Sequence, residues 1–215
     1  MKTIVLAAQK GGAGKTTLAL HLAVEYQRAK NRVALLDTDP QRSAAMWGEL
    51  REVDDVTVIH VRHAAELAGV LQDAESDGYD VVIVDTPPHA TVELTSTLRH
   101  ATLAVLPFKP SPLDLGTAET LAAKVQAARV PAVAVISAAP LRAAEIKPMS
   151  EALEGYGFTM LETVIHDLMP FRRSIGNGQA VMEFDPQGRA AMEIRALRKE
   201  IDTVITSLRN EATTP

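Results

Sequence analysis

The sequence predicts a doubly wound α/β domain, in which helices cover both faces of a mostly parallel β-sheet. Short runs rich in Val, Ile, Leu and Ala recur along all 215 residues, and segments with helical spacing separate them. The runs are nearly continuous in apolar residues, which is typical of strands buried on both faces. Aromatic residues make up only 4% of the chain, so aliphatic side chains must fill the core.

Seven apolar runs are predicted to be strands, and their alternation with helices favours parallel pairing through βα units. Leu18, Leu22 and Tyr26 repeat at helical spacing after the first run, and residues 187–209 are predicted to form a final amphipathic helix. No linker or repeat divides the sequence, so residues 1–215 are predicted to form one domain. The predicted strands lie in segments 2–8, 32–38, 56–61, 80–86, 101–107, 131–137 and 160–165.

Composition narrows the classes of function. The chain has no cysteine, which excludes disulfides, Cys-ligated zinc and iron–sulfur clusters and fits a reducing cytoplasm. No signal peptide is recognisable, and no apolar stretch approaches the ~20 residues of a transmembrane helix. The net charge of −5 is uneven, because residues 51–100 carry three basic against ten acidic side chains. Any surface that binds a polyanion must therefore be a local patch outside that segment.

A glycine-rich segment follows the first strand and leads into the first helix. It reads QKGGAGKTT over residues 9–17. Its glycines allow successive N–H groups to converge on phosphate oxygens, and the helix N-terminus adds its dipole. In this context Lys15 is predicted to reach the β- and γ-phosphates of a nucleotide, and the Thr16 hydroxyl to ligate Mg²⁺. The predicted nucleotide contacts are Gly11, Gly12, Ala13, Gly14, Lys15, Thr16 and Thr17.

The segment departs from the usual phosphate loop because Gln9 replaces the first glycine and a second lysine, Lys10, precedes the glycines. This arrangement, K-G-G-x-G-K-T, resembles the deviant Walker A motif of the ParA/MinD family of P-loop ATPases. The resemblance implies an ATP-dependent homodimer in which Lys10 crosses the interface and touches the phosphates of the partner's nucleotide. Lys10 and Lys15 are thus both catalytic candidates. The alternative for Lys10 is a solvated lysine at a strand end.

Acidic residues follow two further strands, where a doubly wound fold places its site. Asp37 and Asp39 lie in LLDTDPQRS, and on chemistry alone either can orient water or support a metal. The resemblance assigns the attacking water to Asp39 and the metal shell to Asp37, whereas the alternative for Asp39 is an Asp-Pro turn. In DVVIVDTPP, Asp85 follows four apolar residues, which resembles a Walker B strand, and Asp85 is predicted to hold Mg²⁺ through water.

Two later segments carry weaker signals. PFKPSPLDLG, residues 107–116, is either a stiff loop or the proline-rich segment of small partition ATPases, which implies that Pro107, Pro110 and Asp114 contact nucleotide or dimer partner. Arg172 and Arg173 lie in LMPFRRSIGNGQAV, which resembles a family segment that binds DNA without sequence preference; the alternative is a solvated loop. The resemblance continues to a final pattern made by Gly178, Val181, Glu183, Pro186 and Gly188.

The resemblance implies a slow ATPase that dimerises on ATP, binds DNA non-specifically and positions a cargo. Such a protein would be cytoplasmic and associated with the nucleoid. A cargo-bound ParB-like or adaptor protein would stimulate it, and the cargo would be a plasmid, a chromosome region or an assembly such as carboxysomes. One alternative is a MinD-like membrane-associated ATPase, which the polar ending SLRNEATTP disfavours. Another is a metabolic P-loop enzyme of the same superfamily.

Overall fold

The computed structural model describes residues 1–88 and 92–213. Its centre is a seven-stranded sheet in the order β3-β2-β4-β1-β5-β6-β7, and every pairing is parallel. The predicted fold class and all seven predicted strands are confirmed. The strands are β1 Lys2–Leu6, β2 Val33–Asp37, β3 Thr57–His60, β4 Val81–Asp85, β5 Leu103–Phe108, β6 Ala132–Ala139 and β7 Thr159–His166.

Helices connect consecutive strands, as parallel pairing requires. The terminal helix runs from Arg189 to Thr213 and so extends four residues past the predicted segment, which ended at residue 209. A short 3₁₀ turn at Ala64–Glu66 precedes the third helix. The helices are α1 Lys15–Arg28, α2 Ser43–Leu50, α3 Leu67–Ser76, α4 Val92–Leu98, α5 Pro112–Leu115, α6 Ala118–Ala128, α7 Ile146–Gly155, α8 Met169–Gly176, α9 Val181–Phe184 and α10 Arg189–Thr213.

The core forms two apolar layers, one on each face of the sheet. Successive strand residues alternate between them, so Ile4 and Leu6 pack in one layer and Val5 in the other. The first layer holds α1, α2 and α10, and the second holds α3, α4, α6 and α7. Because both faces of the inner strands β2, β4 and β5 are covered, these strands consist mainly of apolar residues, which explains why they were recognisable in the sequence.

The strand order decides where the functional loops meet. Strand β1 is central, with β4 on one side and β5 on the other, so the loop after β1 is flanked by the loops that follow those two strands. Ligands of open α/β sheets bind at such a reversal of strand order, beyond the carboxyl ends of the strands. Within residues 1–88 and 92–213, no helix combines the length and apolar character needed to cross a membrane.

Candidate nucleotide-binding site

The glycine-rich loop joins β1 to α1 as predicted, and two of its glycines have conformations that explain their presence. Gly12 and Gly14 have φ angles of +77° and +96°, in the left-handed region that glycine adopts most readily. A β-carbon on Gly14 would also lie 2.6 Å from the Ser137 hydroxyl oxygen, at the buried end of β6. Ser137 therefore lies directly against the loop at Gly14 and leaves no room for a side chain there. No sequence motif marks it, because its position follows from strand order.

The lysine that begins α1 is held inside the loop. Lys15 is buried, and its Nζ lies 3.5 Å from the carbonyl oxygen of Lys10. Burial lowers the pKa of Lys15, while the carboxylates of Asp85 and Asp39 oppose that effect. The Lys15 ammonium group has little exposure to solvent, and its hydrogen bond to the Lys10 carbonyl is long. Such a group is suited to binding an anionic ligand. This environment fits the predicted role of Lys15 as a phosphate ligand.

Thr16 and Asp85 meet beside this lysine. The Thr16 hydroxyl donates a 2.6 Å hydrogen bond to Oδ2 of Asp85, while Asp85 Oδ1 is buried and receives no hydrogen bond from residues 1–88 and 92–213. Burial raises the pKa of Asp85 to about 7; the Thr16 hydrogen bond and Lys15 lower it, and Asp37 and Asp39 raise it further. An orphaned buried carboxylate oxygen next to a threonine hydroxyl is a suitable partner for a hard cation.

The surroundings of Asp85 show which kind of metal site fits. In the part of the chain that the structure describes, no group of three or more His, Cys, Asp and Glu side chains is arranged to hold a metal ion. A protein-only metal cage is thus not formed by these residues. Mg²⁺ commonly binds through one or two protein oxygens together with substrate phosphates. The pair of Thr16 and Asp85 fits a Mg²⁺ ion that arrives with a nucleotide.

Asp37 has a different set of contacts from the one that its predicted metal role calls for. It is fully buried at the end of β2, and its two carboxylate oxygens accept hydrogen bonds from the backbone N–H groups of Asp39, at 3.0 Å, and Ala45, at 2.9 Å. Ala45 lies in the first turn of α2, where backbone N–H groups lack helical acceptors. The observed role of Asp37 is to anchor the start of α2. Its metal role stays a prediction.

Asp39 is half-buried and lies at the edge of the site. Its Oδ1 accepts a 2.9 Å hydrogen bond from the N–H of Gln41, and its carbonyl accepts one from Arg42. These bonds form the Asp-Pro turn that was the alternative interpretation. The turn does not exclude catalysis, because Asp39 also interacts electrostatically with Lys15. Its role in orienting water stays a prediction.

The proline-rich segment, residues 107–116, contains the end of β5 and the short helix α5. Pro107 lies inside β5, where it is register partner of Val135, and Pro110 follows the strand. Asp114 is buried, and its Oδ2 accepts a 2.7 Å hydrogen bond from the Ser111 hydroxyl. Asp114 thus organises the turn before α5. Nucleotide or dimer contact by these residues is not tested by this arrangement and stays a prediction.

The two candidate DNA-binding arginines lie in α8 and not in the loop of the alternative interpretation, and whether they bind DNA or are only solvated stays untested. Both side chains are exposed, but Arg172 forms a 2.6 Å ion pair with Asp167. Arg173 has no hydrogen-bond or ion-pair partner among residues 1–88 and 92–213. Along α10, Arg189 and Arg198 are engaged by Glu193 and Asp202. Arg173 is consequently the more available of the two arginines.

A phosphate loop after the central strand, a buried lysine and a threonine–aspartate pair together define a P-loop nucleotide-binding protein. Residues 4–208 match the model of the CobQ/CobB/MinD/ParA nucleotide binding domain. The chain therefore belongs to the ParA/MinD family of P-loop ATPases, as its sequence motifs indicated.

Individual proteins extend this assignment. Maintenance of carboxysome distribution protein A of Halothiobacillus neapolitanus is 28% identical over 209 residues, which cover 93% of this chain and 95% of that protein. The chromosome-partitioning ATPase Soj of Thermus thermophilus is 35% identical over 137 residues, about half of either chain at 51% and 55%. The septum site-determining protein MinD of Pyrococcus horikoshii, solved with Mg-ADP, has the same fold, with a TM-score of 0.79 at 16% identity over 94% of this chain and 96% of that one.

Proposed function

We propose that this protein is a ParA-type ATPase, which binds ATP with Mg²⁺, dimerises on ATP, binds DNA without sequence preference and positions a cargo. The observation that carries the proposal is the grouping of Lys15, Thr16 and Asp85. A buried lysine beside a threonine–aspartate pair, at the end of the central strand, suits a triphosphate and its Mg²⁺. Relatives that act in carboxysome distribution and chromosome partitioning support a positioning role.

Each residue has a defined task in this proposal. The loop N–H groups and Lys15 bind the phosphates, and the Thr16 hydroxyl and Asp85 hold Mg²⁺, which neutralises phosphate charge when bound. Asp39 orients the attacking water by accepting a hydrogen bond from it. The turn bond from Gln41 uses only Oδ1 of Asp39, and the described residues donate no hydrogen bond to Oδ2. The second oxygen is therefore available for water.

The dimer part of the proposal depends on Lys10. Its side chain is half-buried and has no hydrogen-bond or ion-pair partner among the residues that the structure describes. Since Lys15 serves the local phosphates, the ammonium group of Lys10 remains available for a second nucleotide in a facing subunit. Two subunits that each supply one such lysine would make dimerisation dependent on ATP.

The DNA part depends on the exposed arginines of α8. The protein is acidic as a whole, so binding must come from a local patch. In a dimer two copies of a weak patch bind together, because the second contact is made at high effective concentration. This arrangement would keep the protein on the nucleoid in its ATP state. A cargo-bound ParB-like or adaptor protein then releases it by stimulating hydrolysis, and the cargo is a plasmid, a chromosome region or a protein assembly such as a carboxysome.

Nucleotide-dependent association provides the first test. Sedimentation velocity should show a monomer without nucleotide and a dimer with ATP and Mg²⁺. Lys15→Ala should lose nucleotide binding, whereas Lys10→Ala should bind ATP and fail to form the dimer or to hydrolyse. An unchanged dimer with normal turnover in Lys10→Ala would rule out the role across the interface. A wild-type protein that binds no ATP would overturn the whole proposal.

DNA retention provides the second test. Arg172→Ala/Arg173→Ala should keep ATP binding and dimerisation, lose ATP-dependent retention on DNA of any sequence and reduce the log–log salt slope by roughly 0.9 for each lost contact. Of the two single changes, Arg173→Ala should weaken DNA retention more than Arg172→Ala, since Arg172 is paired with Asp167. Arg142→Ala, at an exposed position between β6 and α7, is the matched control. Wild-type retention and salt slope in the double variant would place the patch elsewhere.

A further inference from the structure

A third lysine, Lys109, brings its ammonium group to the phosphate loop. A β-carbon built on Gly12 would lie 3.4 Å from Lys109 Nζ, so the amine is next to this exposed glycine. The proximity follows from sheet topology. Strand β5 ends at Phe108 and pairs in parallel with β1, with Leu6 as register partner of Val105, so the two strands deliver their following loops side by side.

The backbone of Lys109 is held in place by the turn that follows it. Its N–H donates to Oδ1 of Asp114 at 3.4 Å, and its carbonyl accepts a 2.8 Å hydrogen bond from the N–H of Ser111. Asp114 is itself buried and bonded to the Ser111 hydroxyl. Lys109 therefore extends from a fixed base towards Gly12, rather than from a free loop.

The charge of Lys109 is not neutralised by the described protein. No hydrogen bond or ion pair to its Nζ is made by residues 1–88 and 92–213. The amine instead lies beside a loop that already contains Lys10 and Lys15. Lysine side chains that are brought to the same loop repel one another unless an anion lies between them. A ligand that neutralises Lys109 as well as Lys15 must carry more negative charge than one that neutralises Lys15 alone.

The position of Lys109 along the loop indicates which part of the ligand it meets. Gly11 and Gly12 form the exposed rim of the loop, whereas Ala13 and Lys15 are buried towards α1. The N–H groups of a phosphate loop hold the α- and β-phosphates at the helix N-terminus. The rim, where Lys109 approaches, is left for the outermost phosphate.

We propose that Lys109 binds the terminal phosphate of ATP held by its own chain and thereby makes the site prefer ATP to ADP. This inference rests on the proposed function, because it assumes that the loop binds ATP. A lysine suits the task, since its ammonium is a compact charge on a flexible stem and can follow the phosphate without fixed geometry. Lys109 would thus add a selectivity role to the phosphate-contacting roles predicted for Lys10 and Lys15.

Calorimetric titration of Lys109→Met with a non-hydrolysable ATP analogue and with ADP, both with Mg²⁺, tests the proposal. Loss of one charge-assisted hydrogen bond should weaken binding of the analogue by about tenfold or more and leave ADP affinity within about twofold. Lys109→Arg should recover most of the selectivity. Lys147→Met, on the exposed face of α7, is the control and should bind both nucleotides as the wild type does. The loss should be independent of protein concentration, because the contact is within one chain.

The outcomes separate this inference from the function on which it rests. If Lys109→Met binds the analogue as tightly as wild type, or if both nucleotides weaken equally, Lys109 does not select the terminal phosphate. A loss that grows as the protein is diluted would assign the contact to the partner's nucleotide and also overturn the proposal. If the wild type itself binds neither nucleotide, the ATPase proposal fails. Unchanged melting temperatures of the variants would show that folding is not the cause.

Discussion

Arg51 and Glu183 form a bidentate ion pair between parts of the chain that lie 132 residues apart, with N–O distances of 2.9 and 2.8 Å. The side chain of Arg51 is only 3% exposed, and it also pairs with Asp55 and donates to the carbonyl of Gly178. The pKa of Glu183 is lowered, because the Arg51 hydrogen bonds and charge outweigh the opposing effect of burial. Arg51 therefore links the end of α2 to α9 through Glu183, and to the turn between α8 and α9 through the carbonyl of Gly178.

Removing Arg51 should therefore destabilise the fold strongly. Arg51→Met leaves two carboxylates without their partner, and breaking a buried pair on one side typically costs about 3–5 kcal/mol in free energy of unfolding. Arg42→Met is the control, because Arg42 immediately precedes α2 and forms an exposed pair with Glu49, so its replacement should cost less than about 1 kcal/mol. Urea denaturation measures both. Equal small losses would show that the pair is of little energetic importance.

The same turn should be intolerant of a single methyl group. Gly178 has a φ angle of +66°, and a β-carbon there would lie 2.5 Å from the carbonyl oxygen of Leu50. Gly178→Ala should cost more than about 1–2 kcal/mol, the strain of an L-residue in this conformation alone. Gly176→Ala, at an open position in α8, should be neutral or stabilising by up to about 1 kcal/mol. Similar melting temperatures of the two variants would contradict this reading of the contact.

Asp37 and Asp39 should give opposite results when each is replaced by alanine. Asp37→Ala deprives the N–H groups of Asp39 and Ala45 of their acceptors and should lower the free energy of unfolding by about 2 kcal/mol or more. Asp39→Ala should hardly affect stability but reduce ATP turnover about 10²–10⁴-fold with ATP binding retained. Denaturant titration and steady-state hydrolysis separate the two effects. Normal hydrolysis in Asp39→Ala would make Asp37 or backbone-held water the candidate.

The buried histidine of α1 should make stability depend on pH. His21 is fully buried, and burial lowers its pKa to about 3, with nearby Glu183 opposing the shift. The unfolded chain, with a pKa near 6.5, binds the proton first, so stability falls as pH decreases from about 6.5 towards 3. Between pH 7 and pH 5 the wild type should lose about 2 kcal/mol that His21→Gln does not lose. An equal loss of unfolding free energy in the wild type and in His21→Gln, measured by denaturant titration at both pH values, would contradict this expectation.

The sequence revealed what is local and missed what depends on distant contacts. The inner strands were predictable because both of their faces are buried, and the phosphate loop because its residues are contiguous. Ser137 and Lys109 were missed, since each meets the loop only through the order of the strands. Glu183 was noticed in a motif, but its partner Arg51 is too far along the chain to be read with it. The ion pair between Arg172 and Asp167 was also missed, because it depends on the geometry of α8.

Trp47 is the single tryptophan of the chain, and its surroundings give it a practical use. It is buried as a core residue in α2, its Nε1 donates to the carbonyl of Gln179 at 3.3 Å, and the Arg51 guanidinium lies 5.1 Å from its ring centre. Tryptophan fluorescence of the protein therefore comes from one side chain, which lies where α2, anchored by Asp37, meets the turn after α8. Emission recorded during a nucleotide titration would report, without a label, whether that junction moves.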